Sequence, residues 1–172
     1  MSCRMPSSYR FQDDGRTPNN PRWPLLHYRN VLDDRRGRDA ATFFEKLFAA
    51  HDWTGAWRNG IHDFLHFHTL THEVLGIAGG SATVQFGGDA GCTLTVTAGD
   101  VVVLPAGTGH RRIQASSDLL VVGAYPSSRP FDQCRPADID HTEAMERIRR
   151  VPRPAQDPVH GAHGPLLEFW PQ

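Results

Sequence analysis

Residues 60–80 read GIHDFLHFHTLTHEVLGIAGG, and residues 99–114 read GDVVVLPAGTGHRRIQ. On an extended chain alternate side chains share a face, so His66 and His68 point the same way with room for one ion between their rings. Glu73 opens the next β-rich run and offers an anionic oxygen. His110 follows the turn-forming Pro105-Ala106-Gly107-Thr108-Gly109 on a later run. Three imidazoles and a carboxylate suit borderline divalent ions such as Fe, Mn, Ni, Co or Zn, and match Ca or Mg poorly.

The same alternation groups His62 and Phe64 with His66 and His68, and Arg112 and Gln114 with His110. His62 reads either as a pocket base or as a satisfied interior polar group. An inward Arg112 favours an anionic ligand, whereas a strand twist turns it to solvent. Around these residues short β-rich runs broken by glycine occupy 61–68, 73–78, 82–86, 92–97, 101–104, 110–115 and 119–125. No helix-length pattern interrupts them, which predicts an all-β barrel or sandwich over a parallel α/β sheet.

The flanks differ in texture. Residues 1–40 hold turn formers such as Asp13-Asp14-Gly15 and Pro18-Asn19-Asn20-Pro21, and predict an extended arm with one short strand over 23–28. Phe43, Phe44, Leu47 and Phe48 recur at helical spacing and predict a helix over 40–51, with Thr42 and Glu45 as a capping box. A second helix is predicted over 140–150. From Asp157 to Trp170 the chain keeps large apolar residues and reads as an ordered loop, in which His160, His163 and Trp170 form either a lid or a structural brace.

The two quoted stretches resemble the two signatures of the cupin superfamily. Gly60, His66, His68, Glu73 and Gly80 match the first, and Gly99, Pro105, Gly107 and His110 match the second; Gln114 stands where the pattern ends in asparagine. The superfamily tolerates a gap of three or four residues before its acidic ligand, so His72 competes with Glu73 for that place. The step from Glu73 to Gly80 favours Glu73, leaving His72 at the surface or behind a ligand. The resemblance implies a mainly-β cupin double-stranded β-helix, or jelly-roll barrel, with an N-terminal arm, two flanking short helices and one divalent metal ion inside the cup. It also implies a homodimer, for which the arm is a candidate exchanged strand. More narrowly, FQDDG, PNNP, HEVLG, PAGTGH, VVGAYP and the late DPV, GPL and Trp170 resemble a group of small bacterial single-domain cupins, which brings no reaction with it.

The 172 residues predict one domain, with a barrel core over 57–126, arm and helix over 1–56, and a second helix and loop over 127–172. A formal net charge of −1 removes the broad electrostatic case for nucleic acid or an anionic membrane surface. The local clusters Arg35-Arg36-Gly37-Arg38 and Arg147-Ile148-Arg149-Arg150 are flanked by acids and read as solvated faces. Cys3, Cys92 and Cys134 are widely spaced and odd in number, which fits a reducing, cytoplasmic setting. No apolar run is long enough to span a bilayer. The leading expectation is a metal-dependent dioxygenase or isomerase acting on a small anionic or sugar-derived molecule. The rivals are a non-catalytic ligand-binding or sensing cup and a structural zinc site.

Overall fold

The computed structural model describes residues 5–32, 39–127 and 130–172; the basic stretch 35–38 and Cys3 lie outside the described residues. Near-continuous apolar text marks β4 (Glu73–Gly79), β7 (Val101–Leu104) and β9 (Leu120–Pro126), and such runs belong to strands covered on both faces. They form the middle of a six-stranded sheet ordered β1-β2-β7-β4-β9-β3, completed by β1 (Ser7–Tyr9), β2 (Leu25–Tyr28) and β3 (Trp53–Asn59). In β5 (Ser81–Phe86), by contrast, buried Ala82, Val84 and Phe86 alternate with half-buried neighbours, the pattern of one covered face. It pairs antiparallel with β6 (Cys92–Thr97) and β8 (His110–Ala115) in a second, three-stranded sheet.

The two faces of the large sheet go to different layers. Leu25, Leu75, Ile77, Val102, Leu104 and Val121 pack on Ala82, Val84, Phe86 and Val96 of the small sheet. On the opposite face Leu26, Val74, Val101, Val103, Val122 and Ala124 lie under Phe44 and Phe48 of α1 (Ala40–Ala50), and under Val159, Leu166 and Trp170 of the C-terminal segment. Phe44 and Phe48 are fully buried, and each contributes about 1.5–3 kcal/mol relative to exposure. Helix and sheet touch so closely that a Cβ on Gly76 would fall 2.7 Å from the Phe44 ring. The layout resembles cupin-type jelly-roll topology, but no hydrogen-bond ladder joins the two sheets into a closed barrel among the described residues.

That difference traces to the segment expected as a strand over 61–68. It is an irregular edge that meets β8 at isolated points: His66 and His110 exchange backbone hydrogen bonds, and the Arg112 N–H donates to the His62 carbonyl at 2.8 Å. Phe67 bridges to Cys134 on its other side. β3 begins at Trp53, ahead of the expected core boundary at 57, and contains a register shift between Thr54 and Trp57 around Gly55, whose φ is +68°. The cap of α1 is also not the expected pairing of Thr42 and Glu45. Asp39 accepts from the Thr42 N–H at 3.0 Å, while Glu45 holds Arg58 on β3 at 2.7 Å. α2 (His141–Arg150) forms as expected, capped by Asp140. The C-terminal loop carries a short α3 (Leu166–Phe169).

Candidate metal centre

Period-2 geometry survives where it matters. His66 and His68 are buried and face inward, and Phe67 between them turns outward onto Cys134, Ile139 and Ala144. Glu73 pairs with Leu104 on the inner face of the large sheet. His110 opens β8 opposite Phe86. One ring nitrogen from each of His66, His68 and His110 lies within 4.8 Å of the others, close to the spread of atoms roughly 2 Å from a shared centre. Oε2 of Glu73 stands 3.2 Å from Nε2 of His68 and 3.5 Å from Nε2 of His110.

The other nitrogen of each ring is engaged by the main chain. Nδ1 of His66 meets the Phe64 carbonyl at 3.1 Å, Nδ1 of His110 meets the Thr108 carbonyl at 3.0 Å, and Nδ1 of His68 meets the carbonyl of Asp132. A carbonyl only accepts, so Nδ1 carries the hydrogen and Nε2 is left to face the cluster. Backbone carbonyls behind metal-binding imidazoles do this work of fixing tautomer and ring angle. Nε2 of His68 is buried without a hydrogen bond, 3.2 Å from the Glu73 carboxylate.

Electrostatics inside the cluster are strong. Burial lowers His66, with the nearby His110 adding to it, and takes it to about 2. Burial also works to lower His68, but the Glu73 charge outweighs it and pushes the ring up to about 9. Burial opposes ionisation of Glu73, yet the charge of His68 and the neighbouring His110 hold its carboxyl well below the usual range. A buried set of three imidazoles and one carboxylate suits one divalent transition-metal ion.

The four residues open onto a cavity of about 350 Å³, which Trp57, Ile61, His62, Leu75, Tyr125 and Phe131 also line. His62 stands exposed at its rim with its ring stacked on Phe64 at 4.6 Å. Arg112 shares a face with Val84 but is half-buried and does not line the cavity. Gln114 is turned outward: the register slips by one residue at Ile113, so Gln114 pairs with Thr83 and is exposed. His72 is neither a surface residue nor part of the cluster. It lies fully buried on the other side of the sheet, beside Trp23 and Trp170, accepting from the Ala106 N–H and meeting the Pro152 carbonyl at 3.0 Å.

Other supporting residues escaped the sequence reading. The Tyr125 hydroxyl accepts from the Trp57 indole at 3.0 Å and donates to Glu73. Burial and the Glu73 charge raise the phenol, which keeps it a donor. The Asp132 carboxylate accepts from the backbone N–H groups of Thr69 and Leu70, tying the loop after His68 to the one after β9. Asn19 and Asn20 brace the turn before His110, through the Gly109 N–H and the Ala106 carbonyl.

No protein-family model matches the chain. The uncharacterised protein YjlB of Bacillus subtilis is 38% identical over 167 residues, covering 97% of this chain and 98% of its own length. This chain belongs to the YjlB family. Among solved structures, the YjlB-family chain is similar to acireductone dioxygenase from Bacillus anthracis with a cadmium ion in its active centre (TM-score 0.43, 13% identity, 60% of this chain and 79% of that one). It is also similar to oxalate decarboxylase OxdC of Bacillus subtilis (TM-score 0.40, 17% identity, 66% and 28%). A DUF861 family protein from Thermotoga maritima matches with TM-score 0.34 and 19% identity over 50% of this chain and 92% of its own.

Proposed function

We propose that His66, His68, Glu73 and His110 hold one divalent transition-metal ion, and that the protein is a metal-dependent enzyme of oxygenase or isomerase type acting on a small anionic or sugar-derived molecule. The carrying observation is that three separate carbonyls engage the three Nδ1 atoms of a cluster whose facing ring nitrogens lie within 4.8 Å of one another, with Nε2 of His68 and of His110 beside the Glu73 carboxylate. When bound, the ion supplies Lewis acidity or an electron. The chain supplies the rest. Trp57 and Tyr125 hold the Glu73 carboxylate in one orientation, and His62 at the rim is placed to take or return a proton. Glu73 is the carboxylate among the described lining residues, so a divalent ion leaves a local excess of positive charge that favours the anionic class.

We place this centre in one cupin barrel domain over residues 1–172, in a cytoplasmic homodimer that binds neither nucleic acid nor membrane. The two signatures and the facing sheets support the barrel. β1, largely exposed at the edge of the large sheet, supports the pairing. Among the described residues no helix is long and apolar enough to cross a membrane. The test is elemental analysis of protein purified without a nickel column. One transition-metal ion per chain is expected, with loss of the ion and retention of the fold in His68→Ala/His110→Ala. An empty wild-type site refutes the proposal in favour of a non-catalytic ligand cup, and full metal content in the double variant refutes the ligand assignment.

A further inference from the structure

We propose that the cavity recognises a small molecule whose body is a flat aromatic ring, and that it turns away phosphorylated and other multiply charged molecules. The inference deepens the metal-centre reading and rests on it for the anchored end of the ligand; the place of the ring follows from the walls alone.

Phe131 lines the cavity and is 58% exposed, the most exposed of the large apolar side chains among the described residues. It is nevertheless held in place. Its ring stacks on Tyr125 at 4.8 Å with 4° between the planes. Tyr125 in turn is fixed by Trp57, whose indole lies so close over β9 that a Cβ on Gly123 would come within 2.1 Å of it. Leu75, which shares a face of β4 with Glu73, and Ile61 add to the apolar lining. An aromatic side chain held rigidly at an opening keeps apolar surface in water, and a ligand ring entering beside it removes that surface and adds a ring–ring contact.

Charge and size narrow the class. No Lys or Arg lines the cavity among the described residues, and Arg135, near this wall, is engaged over the face of Phe64 at 4.0 Å. Phosphate recognition calls for guanidinium, ammonium or clustered backbone N–H donors. Besides Tyr125 and the rim residue His62, the remaining polar side chains of the lining are the amides Asn59 and Gln133. A dry pocket of about 150 Å³ is enough for benzene, so the cavity of about 350 Å³ holds one ring with a short polar head.

The test uses the whole protein loaded with cobalt(II), titrated with glycolate, mandelate and 2-phosphoglycolate and followed by the cobalt visible spectrum and tryptophan fluorescence. Mandelate is glycolate with a phenyl ring on its α-carbon, and 2-phosphoglycolate is glycolate with a phosphate on its hydroxyl oxygen. Mandelate is expected to bind at least about tenfold more tightly than glycolate, and 2-phosphoglycolate no more tightly than glycolate. In Phe131→Ala, a change at an exposed position, the mandelate-to-glycolate ratio is expected to fall to within about threefold. Equal binding of mandelate and glycolate, tighter binding of 2-phosphoglycolate, or a ratio that survives Phe131→Ala overturns the inference while leaving the metal centre intact. Failure to take up cobalt overturns the metal-centre reading, and this inference with it.

Discussion

An imidazole whose Nδ1 hydrogen is engaged by a carbonyl has one nitrogen left, and His68 uses it in a conflict between a proton and an ion. In the metal-free protein that ring is pushed up to about 9 by Glu73 against the cost of burial, so at neutral pH it is charged. Metal binding requires the neutral ring, so uptake at pH 7 is expected to release about one proton and to weaken as pH falls, which calorimetry in buffers of different ionisation enthalpy will measure. Stability of the metal-free form has a worked sign. The His68 contribution is complete below its unfolded value of 6.5 and is lost as pH rises through about 9. His66, lowered to about 2, opposes it: below 6.5 the unfolded chain takes a proton that the folded chain refuses, so stability falls with pH. Urea melts in chelator should therefore show greatest stability near pH 6.5. His66 and His68 were legible in the sequence from their alternation, and Glu73 and His110 because each opens a β-rich run inside a family signature. Tyr125 and Asp132 were not, since nothing local announces that a chain fold brings them to Glu73 and His68. Asp132→Ala is expected to cut metal affinity about 10–100-fold by freeing the loop that orients His68, measured by competition with a chelator.

At the scale of elements, the strands with regular text were readable and the irregular ones were not. β5 alternates and β7 is uniformly apolar, so both were expected within a residue of where they lie. β3 carries Gly55 and a register shift, which erase its alternation, and the segment 61–68 alternates in text while pairing with β8 at isolated points. Gln114 was placed inward for the same reason, because a slipped register is invisible before the partner strand is known. Helix α1 depends on two local contacts. Asp39→Ala is expected to lower stability through loss of the N-cap, and Gly76→Ala to cost about 1–3 kcal/mol by forcing the Phe44 ring off β4. Both are measurable by denaturant melts and should leave metal content unchanged, since α1 covers the face of the sheet opposite the centre.

Across the whole molecule, the large sheet is finished by the segment beyond Asp157. The buried Asp157 carboxylate accepts from the backbone N–H groups of Val159, His160 and Leu166 and from the Tyr28 hydroxyl, and Trp170 stacks on Trp23 at 5.4 Å while its indole donates to the Pro24 carbonyl. Asp157→Ala strands several buried donors and is expected to cost at least about 3 kcal/mol, read from urea unfolding. The order of synthesis gives this arrangement a further consequence. Helix α1 precedes most of the strands, but the rest of their cover comes last, so the part of a valine-rich sheet that α1 leaves uncovered stays bare until residues 157–170 have been made and docked. A nascent chain stalled before that point offers chaperones a sticky face, and a premature stop there makes a product marked for proteolysis rather than a weakened protein.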